Sequence, residues 1–268
     1  MGKKQGSLVW NCATQSLLSP GSIIKPVAVY APAIELGLIT PATVMDDTPY
    51  SFTDTATWPK NLDSTYRGLV SVEEAVAQSI NTVPVKLVAQ MTPEYSYSFA
   101  KDKMGLSTLV SSYKTTNGEE LSDVNLWALA LGSLTKGVTV RAMTAAYAAF
   151  ANEGVYREAR TYSRVTDSTG KEVILDNSQN SYVAMKDMTA WYITYMLENT
   201  VESGSGTAAQ IERMGSCGAV FAVARGEYPG ERCGRIVAKA AERSAGAPDV
   251  YGELTVKAAD GRIELTGY

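Results

Sequence analysis

Apolar residues recur with a helical period in several stretches of the chain. After a Pro-Gly turn they appear every three or four positions until Gly37, which favours a stop. The pattern predicts a helix over residues 21–36, with Ser22 at or just inside its start. Pro26 is compatible with this helix because it falls in the first turn, where a backbone nitrogen has no intrahelical partner.

The same reasoning predicts further helices and a hairpin. Ser71 and Glu74 have the spacing of a capping box, which predicts a helix that ends near Ser79. Between residues 40 and 68 no period is visible, which indicates a long irregular segment over the surface. Other predicted helices cover residues 83–91, 93–105, 125–134, 140–152 and 185–201, and a predicted hairpin has arms at 160–167 and 171–175.

Residue usage changes after Met214, where Gly, Ala and Arg become frequent. This change predicts one domain over residues 1–214 and a divergent tail over residues 215–268. The chain as a whole is predicted to be a helix-rich α+β protein. In the tail, the pattern predicts a strand at 219–224, a helix at 231–245 and a hairpin with arms at 253–257 and 262–266.

Composition excludes several classes of function. The formal net charge of −4 provides no basic field for nucleic acid, so we expect no nucleic-acid partner. The chain has no histidine, which excludes Ser-His and Cys-His nucleophile pairs and the commonest metal ligand. Its three cysteines are too far apart for a Cys-x-x-Cys metal clip. A general base must therefore be Lys, a carboxylate or Tyr.

A serine three residues before a lysine places a hydroxyl and an amine on one helix face. In Ser22-Ile23-Ile24-Lys25 this pair stands at a predicted helix start with apolar residues between. The helix dipole and partial burial would both lower the pKa of Lys25 from about 10.4, so that the amine could act as a base. The alternative is that Ser22 caps the helix and Lys25 is solvated. The same spacing also occurs at Ser98, Ser111, Ser133 and Ser168.

A second motif is Ser79-Ile80-Asn81, at the exit of a predicted helix. Ser79 could pass a proton to a leaving group, and Asn81 could bind the backbone amide of a substrate. The alternative is that these residues form a helix exit and the cap of the next helix. Ser178-Gln179-Asn180 has the same spacing, and we expect it to be plain loop.

The run from Asn11 to Pro26 resembles the nucleophile region of class A penicillin-binding proteins, and the likeness extends to Met214. Other stretches that fit this family are Tyr30–Ala33, Ile39–Ala42, Asp46-Asp47, Val76–Thr82, Ala130–Ser133, Ala145–Asn152 and Gly204–Ala208.

The resemblance implies an incomplete transpeptidase fold of the serine D,D-peptidase and β-lactamase type, followed by an unrelated α+β tail. It implies that Ser22 is acylated, that Lys25 is its base, and that Ser79 and Asn81 form the second box of a D,D-transpeptidase. Such enzymes cross-link peptidoglycan stem peptides and are acylated by penicillins. The resemblance implies no metal or organic cofactor.

Two departures from the family pattern stand out. The family's third box, Lys-Thr-Gly, is expected shortly after residue 208, but the chain reads Met214-Gly215-Ser216-Cys217-Gly218-Ala219 there. That box would supply a cation and an oxyanion-hole N–H, whose loss typically costs about 100- to 1,000-fold in rate. Nothing before Asn11 matches the family's membrane anchor, glycosyltransferase domain or first strands. The resemblance implies a family that is membrane-anchored and works outside the cytoplasm, whereas this sequence shows no signal peptide and no membrane span of about 20 residues. Read literally it is soluble and not exported, and we expect contact with a membrane only through the missing family segments.

These observations leave three readings. The leading one is an impaired D,D-transpeptidase-type acyltransferase with stem peptides and β-lactams as partners. The second is a noncatalytic module that binds cell-wall peptides or partners through the Tyr and Trp residues between Tyr50 and Tyr66. The third is a nonfunctional gene fragment.

Overall fold

The computed structural model describes residues 10–52, 57–209, 255–259 and 262–266. No helix in these ranges is long and apolar enough to cross a membrane. The α-helices are α1 (Ala31–Glu35), α2 (Val72–Ala77), α3 (Thr82–Met91), α4 (Pro93–Ser98), α5 (Leu126–Leu131), α6 (Val140–Ala151) and α7 (Asp187–Glu202). Ser71 caps α2 as predicted, since its hydroxyl accepts the N–H of Glu74 at 3.1 Å, which is one of the two contacts of a capping box.

The helix predicted over residues 21–36 is present, but it is built from three helical forms. It runs as a 3₁₀ helix over Gly21–Ile24, as a π-helix over Pro26–Tyr30 and then as α1. We call this whole run the Ser22 helix. Its residues 24–34 are buried, and α3, α4 and α5 pack around it, so it is the centre of the apolar core.

Pro26 explains the change of helical form. The N–H of Lys25 donates to the carbonyl of Ser22, three residues earlier, which is a 3₁₀ contact. Pro26 has no N–H with which to continue the pattern, and the N–H of Ala31 donates to the Pro26 carbonyl, five residues earlier. Since side chains three residues apart eclipse one another in a 3₁₀ helix, Lys25 lies on the same face as Ser22.

The end of α7 is tied to the end of α2. The N–H of Ser205 donates to the carbonyl of Ala77 at 2.8 Å. Gly204 comes so close that a Cβ there would lie 2.2 Å from the same carbonyl oxygen. The segment after α7 therefore supports the point at which α2 gives way to Ser79.

The strands are short, and most pair locally. The strands are β1 (Val44–Asp47), β2 (Ser51–Phe52), β3 (Thr57–Trp58), β4 (Gly68–Ser71), β5 (Tyr113–Lys114), β6 (Glu120–Leu121), β7 (Val155–Arg157), β8 (Arg164–Thr166), β9 (Val173–Asp176), β10 (Ser181–Val183), β11 (Thr255–Ala259) and β12 (Arg262–Thr266). Antiparallel pairs join β1 to β4, β2 to β3, β5 to β6 and β7 to β10, while β12, β11, β8 and β9 form a four-stranded sheet in that order.

The prediction of an irregular surface segment over residues 40–68 is correct only in part, since nearly all described residues there are at least partly exposed but the segment is not wholly irregular. This segment contains β1, whose Asp47 lies opposite Gly68 of β4, and the pair β2–β3. Asp47 and Asn61 are buried. The sequence pattern missed this because the inward-facing positions carry polar side chains, which satisfy one another by hydrogen bonding.

The hairpin predicted in the tail is present, with Ala259 of β11 opposite Arg262 of β12. β11 also pairs in parallel with β8, so the hairpin extends a sheet begun earlier in the chain. The predicted strand at 219–224 and helix at 231–245 lie outside the described residues. The domain boundary predicted at residue 214 stays a prediction.

Gly132, directly after α5, lets the backbone of this helix end touch the start of the Ser22 helix. It has φ +77°, and a Cβ there would lie 2.3 Å from the carbonyl oxygen of Gly21. We expect Gly132→Ala to lower the free energy of unfolding by about 3 kcal/mol, through backbone strain and overpacking together. Urea unfolding followed by circular dichroism measures the loss.

The matched control is Gly118→Ala, in an exposed turn. Gly118 has φ +85°, and nothing lies within 4 Å of a Cβ built there. Its loss should be about 1 kcal/mol, from backbone conformation alone. Equal losses in the two variants would contradict a tight contact between α5 and the Ser22 helix.

Candidate active site

The amine of Lys25 lies among four oxygen atoms. Its Nζ is 2.8 Å from the carbonyl oxygen of Ser79, 3.1 Å from that of Ile80 and 2.7 Å from Oδ1 of Asn81. The hydroxyl of Ser79 is the fourth neighbour, at 3.2 Å. All four oxygens come from three consecutive residues, Ser79 to Asn81, in the four-residue link between α2 and α3, so one short segment surrounds the amine.

Lys25 is almost inaccessible to solvent, with 2% of its surface exposed. This burial lowers the pKa of Lys25 from 10.5 to about 7. Near neutral pH, a substantial fraction of the amine therefore carries no proton and offers a lone pair. A neutral amine retains two N–H donors for the three carbonyl and amide oxygens around it, and its lone pair can accept a proton from a hydroxyl. The interpretation of Lys25 as a solvated first-turn residue is wrong.

Ser22 lies one 3₁₀ turn before Lys25 and is exposed. Pro20 occupies the N-cap position, and no side chain caps this helix end, so the interpretation of Ser22 as a helix cap is wrong. Among the hydrogen bonds that join described residues, none uses the Ser22 hydroxyl. A hydroxyl that faces solvent beside a buried amine is accessible to a ligand.

The start of the Ser22 helix is held from two sides. The hydroxyl of Ser19 donates to the carbonyl of Gly132. The hydroxyl of Tyr147, on α6, donates to the carbonyl of Ile23 at 2.7 Å. These contacts fix the backbone around Ser22 although its own side chain is free to meet a ligand.

Ser79 has an unusual backbone conformation, with φ +53°. A left-handed conformation in a residue other than glycine costs about 1–3 kcal/mol and persists where neighbouring structure enforces it. Here the N–H of Ile80 donates to the carbonyl of Ala75 at 2.9 Å, which closes the turn after α2. In this conformation both the carbonyl and the hydroxyl of Ser79 reach Lys25.

The side-chain amide of Asn81 has a defined orientation. Its Nδ2 donates to the carbonyl of Lys60 at 2.7 Å, while its Oδ1 accepts from Lys25. Asn81 occupies the N-cap position of α3, but its side chain makes no capping hydrogen bond. The interpretation of this side chain as a helix cap is therefore wrong. Within the described part of the chain, the second hydrogen of Nδ2 has no acceptor and could reach a ligand.

Comparison with known proteins identifies the family. A family model described as "Penicillin binding protein transpeptidase domain" matches residues 2–218. The chain belongs to the penicillin-binding protein transpeptidase family. Its structure is the helix-rich α+β fold predicted above.

Curated relatives of this transpeptidase domain are longer proteins. "Penicillin-binding protein 1A" of Clostridium acetobutylicum is 34% identical over 200 residues, which is 70% of this chain and 23% of the relative. "Penicillin-binding protein 1F" of Bacillus subtilis is 32% identical over 207 residues, which is 77% of this chain and 26% of the relative. The chain thus spans about a quarter of the length of these relatives.

A solved structure supports the fold of the transpeptidase domain. It is the D,D-transpeptidase domain of a peptidoglycan glycosyltransferase from Eggerthella lenta. The two structures have a TM-score of 0.61 at 23% sequence identity, and the match covers 78% of this chain and 55% of the other.

The structure of this transpeptidase domain brings Lys25, Ser79 and Asn81 into direct contact and places Ser22 one turn away. Their catalytic roles stay predictions, and the segment that should carry the third box lies outside the described residues. Ser178-Gln179-Asn180 lies between β9 and β10, as expected for a loop.

Sequence analysis missed the residues that support Asn81. Its backbone N–H donates to Oδ1 of Asn61 at 2.9 Å, and Nδ2 of Asn61 donates to Asp47 at 2.8 Å. The sequence signal that could have pointed to this support is the Asp46-Asp47 pair, which fits the family pattern but received no functional assignment from the sequence.

The lowered pKa of Lys25 can be measured directly. In protein carrying ¹³Cε-labelled lysine, the Lys25 signal should titrate near pH 7, because burial disfavours the charged amine. Loss of the signal in Lys25→Arg assigns it. A midpoint near 10.4, the ordinary lysine value, would show that the amine is hydrated and contradict the geometry described above.

Proposed function

We propose that this chain is a penicillin-binding, D,D-transpeptidase-type serine acyltransferase that acts on peptidoglycan stem peptides. The observation that carries the proposal is the buried Lys25 amine, held by Ser79 and Asn81 one helical turn from the exposed Ser22. Family membership supports the same conclusion, since relatives over this region are penicillin-binding proteins.

In the first chemical step, neutral Lys25 accepts the proton of the Ser22 hydroxyl while Oγ attacks the carbonyl carbon of the substrate. The tetrahedral intermediate then loses its amine, whose C–N bond breaks. The proton returns from Lys25 to that leaving amine by way of the Ser79 hydroxyl, 3.2 Å from Nζ. The product is an ester between Ser22 and the acyl group.

In the second step, an acceptor amine attacks the ester carbonyl and gives a proton to Lys25, which passes it to Oγ of Ser22 as the ester C–O bond breaks; the product is the cross-link. With a β-lactam as substrate, the broken amide bond belongs to a ring, so the leaving amine stays attached. The free hydrogen of the Asn81 amide is suited to the carbonyl oxygen of the bound acyl donor.

The activity is proposed to be impaired. The Lys-Thr-Gly box would supply a cation for the substrate carboxylate and one oxyanion-hole N–H, and its absence removes both. The N–H of Ser22 at the helix start remains as one oxyanion donor. Loss of one such donor typically lowers the reaction rate by about 100- to 1,000-fold. We therefore expect slow acylation by a reactive β-lactam and inefficient cross-linking of stem peptides.

Covalent labelling by a fluorescent penicillin tests the acyl-enzyme step. We expect one label per molecule on the wild-type protein, located on Ser22 by peptide mass spectrometry, and none on Ser22→Ala. Ser111→Ala is the matched control, because Ser111 has the same spacing to a lysine but lies in an exposed loop. It should label like the wild type.

Failure of labelling would have a clear meaning. A cooperatively folded wild-type protein that takes up no label would reject the acyltransferase and favour the noncatalytic binding module. A protein without a cooperative unfolding transition would favour a nonfunctional fragment.

Ser79→Ala tests the proton relay. Removal of the hydroxyl should lower the first-order acylation rate by about 100-fold, the usual scale for a proton-transfer group, while the final labelled fraction stays the same. Gln78→Ala, at the exposed neighbouring position, should leave the rate unchanged. An unaltered rate in Ser79→Ala would exclude Ser79 from the proton path.

A further inference from the structure

The segment that surrounds Lys25 is itself held by Asn61. The Oδ1 of Asn61 accepts the backbone N–H of Asn81 at 2.9 Å. The Nδ2 of Asn61 donates to both carboxylate oxygens of Asp47, at 2.8 and 3.0 Å, and to the carbonyl of Thr65 at 2.8 Å. Both ends of the Asn61 amide are therefore used, and its orientation is fixed.

Asp47 anchors Asn61 to the core. Its carboxylate is fully buried and accepts the hydroxyl of Thr82 at 2.6 Å and the backbone N–H of Arg67 at 2.9 Å. The Arg67 guanidinium is 4.0 Å from the same carboxylate. A buried carboxylate with this many donors is a rigid point, because each displaced donor would leave a buried charge less satisfied.

The contacts around Asn81 are coupled through geometry. Lys60 and Asn61 are consecutive, and they bind the side chain and the backbone of Asn81 respectively. The Lys60 carbonyl can only accept, so it holds Nδ2 of Asn81 on its own side and leaves Oδ1 facing Lys25. Asn81 thus reaches Lys25 because two neighbouring residues of the preceding loop hold it from the other side.

We infer that Asn61 is a positioning residue, which holds the Ser79–Asn81 segment against Lys25 through the backbone of Asn81 and is itself anchored by Asp47. The consequence for acylation rests on the function proposed above. Asn61 does not touch the substrate. It determines whether the oxygens of Ser79, Ile80 and Asn81 stay on the amine that accepts the proton.

Three variants separate positioning from general support. Asn61→Leu removes the acceptor for Asn81 and the donor for Asp47. Asn61→Asp keeps the acceptor but places a second carboxylate about 3 Å from the first, which destabilises the network. Addition of Asp47→Asn to Asn61→Asp exchanges the two groups and leaves a single buried carboxylate.

The exchanged pair can restore the contacts among positions 47, 61 and 81, while the Thr65 carbonyl loses its donor just as it does in Asn61→Asp. In this double variant the carboxylate at position 61 accepts the N–H of Asn81, while the new amide at position 47 donates to that carboxylate and to the Thr82 hydroxyl, which can also accept. The amide oxygen at position 47 still accepts the N–H of Arg67. The double variant should therefore behave more like the wild type than Asn61→Asp alone does.

Amide hydrogen exchange measures the contact without any activity. In Asn61→Leu the N–H of Asn81 should exchange at least about tenfold faster than in the wild type, the scale of one lost hydrogen bond, while the buried amide of Ala146 in α6 is unchanged. In the exchanged double variant the protection should return. Unchanged exchange at Asn81 in Asn61→Leu would overturn the inference.

Acylation kinetics give the second measurement. Mispositioning should lower the first-order labelling rate of Asn61→Leu by about 10- to 100-fold and leave the final labelled fraction near one per molecule. A merely structural role would instead lower the labelled fraction and leave the rate of the folded molecules unchanged. Asn152→Leu removes an asparagine that holds a different loop, through the carbonyl of Val155 at 2.9 Å, and should change neither quantity.

The acyltransferase function and the positioning role of Asn61 can be rejected independently of each other. An unlabelled wild-type protein would reject the acyltransferase function, while hydrogen exchange at Asn81 would still decide the role of Asn61. A labelled wild type in which the exchanged pair is no faster than Asn61→Asp would reject the positioning role and leave the function intact.

Discussion

A buried amine needs oxygen acceptors before the core of this protein can close around it. Lys25 lies in the most buried helix of the described structure, between Ile24 and Pro26, and an unpaired ammonium at this place would be very costly. The Ser79–Asn81 segment supplies the acceptors. Core packing and candidate chemistry therefore depend on the same contact, since the segment that lets the helix be buried is also the one that keeps the amine out of water.

This constraint explains why the loop between β1 and β4 carries a buried polar side chain, that of Asn61. The loop carries Asn61 and Lys60, which bind Asn81, and it is anchored at Asp47 where the strand pair ends. The helical part of the structure alone would leave the Asn81 side chain free to cap α3. The loop withdraws that side chain from the helix end and turns it towards Lys25, so the α and β parts of the chain cooperate at one residue.

Sequence reasoning succeeded where a feature depends on near neighbours. The shared face of Ser22 and Lys25, the Ser71 helix cap and the tail hairpin depend on local patterns, and the structure contains all three. The contact between Asn61 and Asn81 spans 20 residues and joins the Asn61 side chain, which looks like a surface residue in sequence, to the backbone N–H of Asn81. The 3₁₀ and π forms of the Ser22 helix were missed too, because helical periodicity in apolar residues does not distinguish hydrogen bonds that span three, four or five residues.

The left-handed backbone at Ser79 sets stability against the side chain at this position. Glycine adopts such a conformation without strain, so Ser79→Gly would relieve the backbone. The same change would remove the hydroxyl that lies 3.2 Å from Nζ of Lys25. At this position the more relaxed backbone and the hydroxyl beside the buried amine are therefore mutually exclusive.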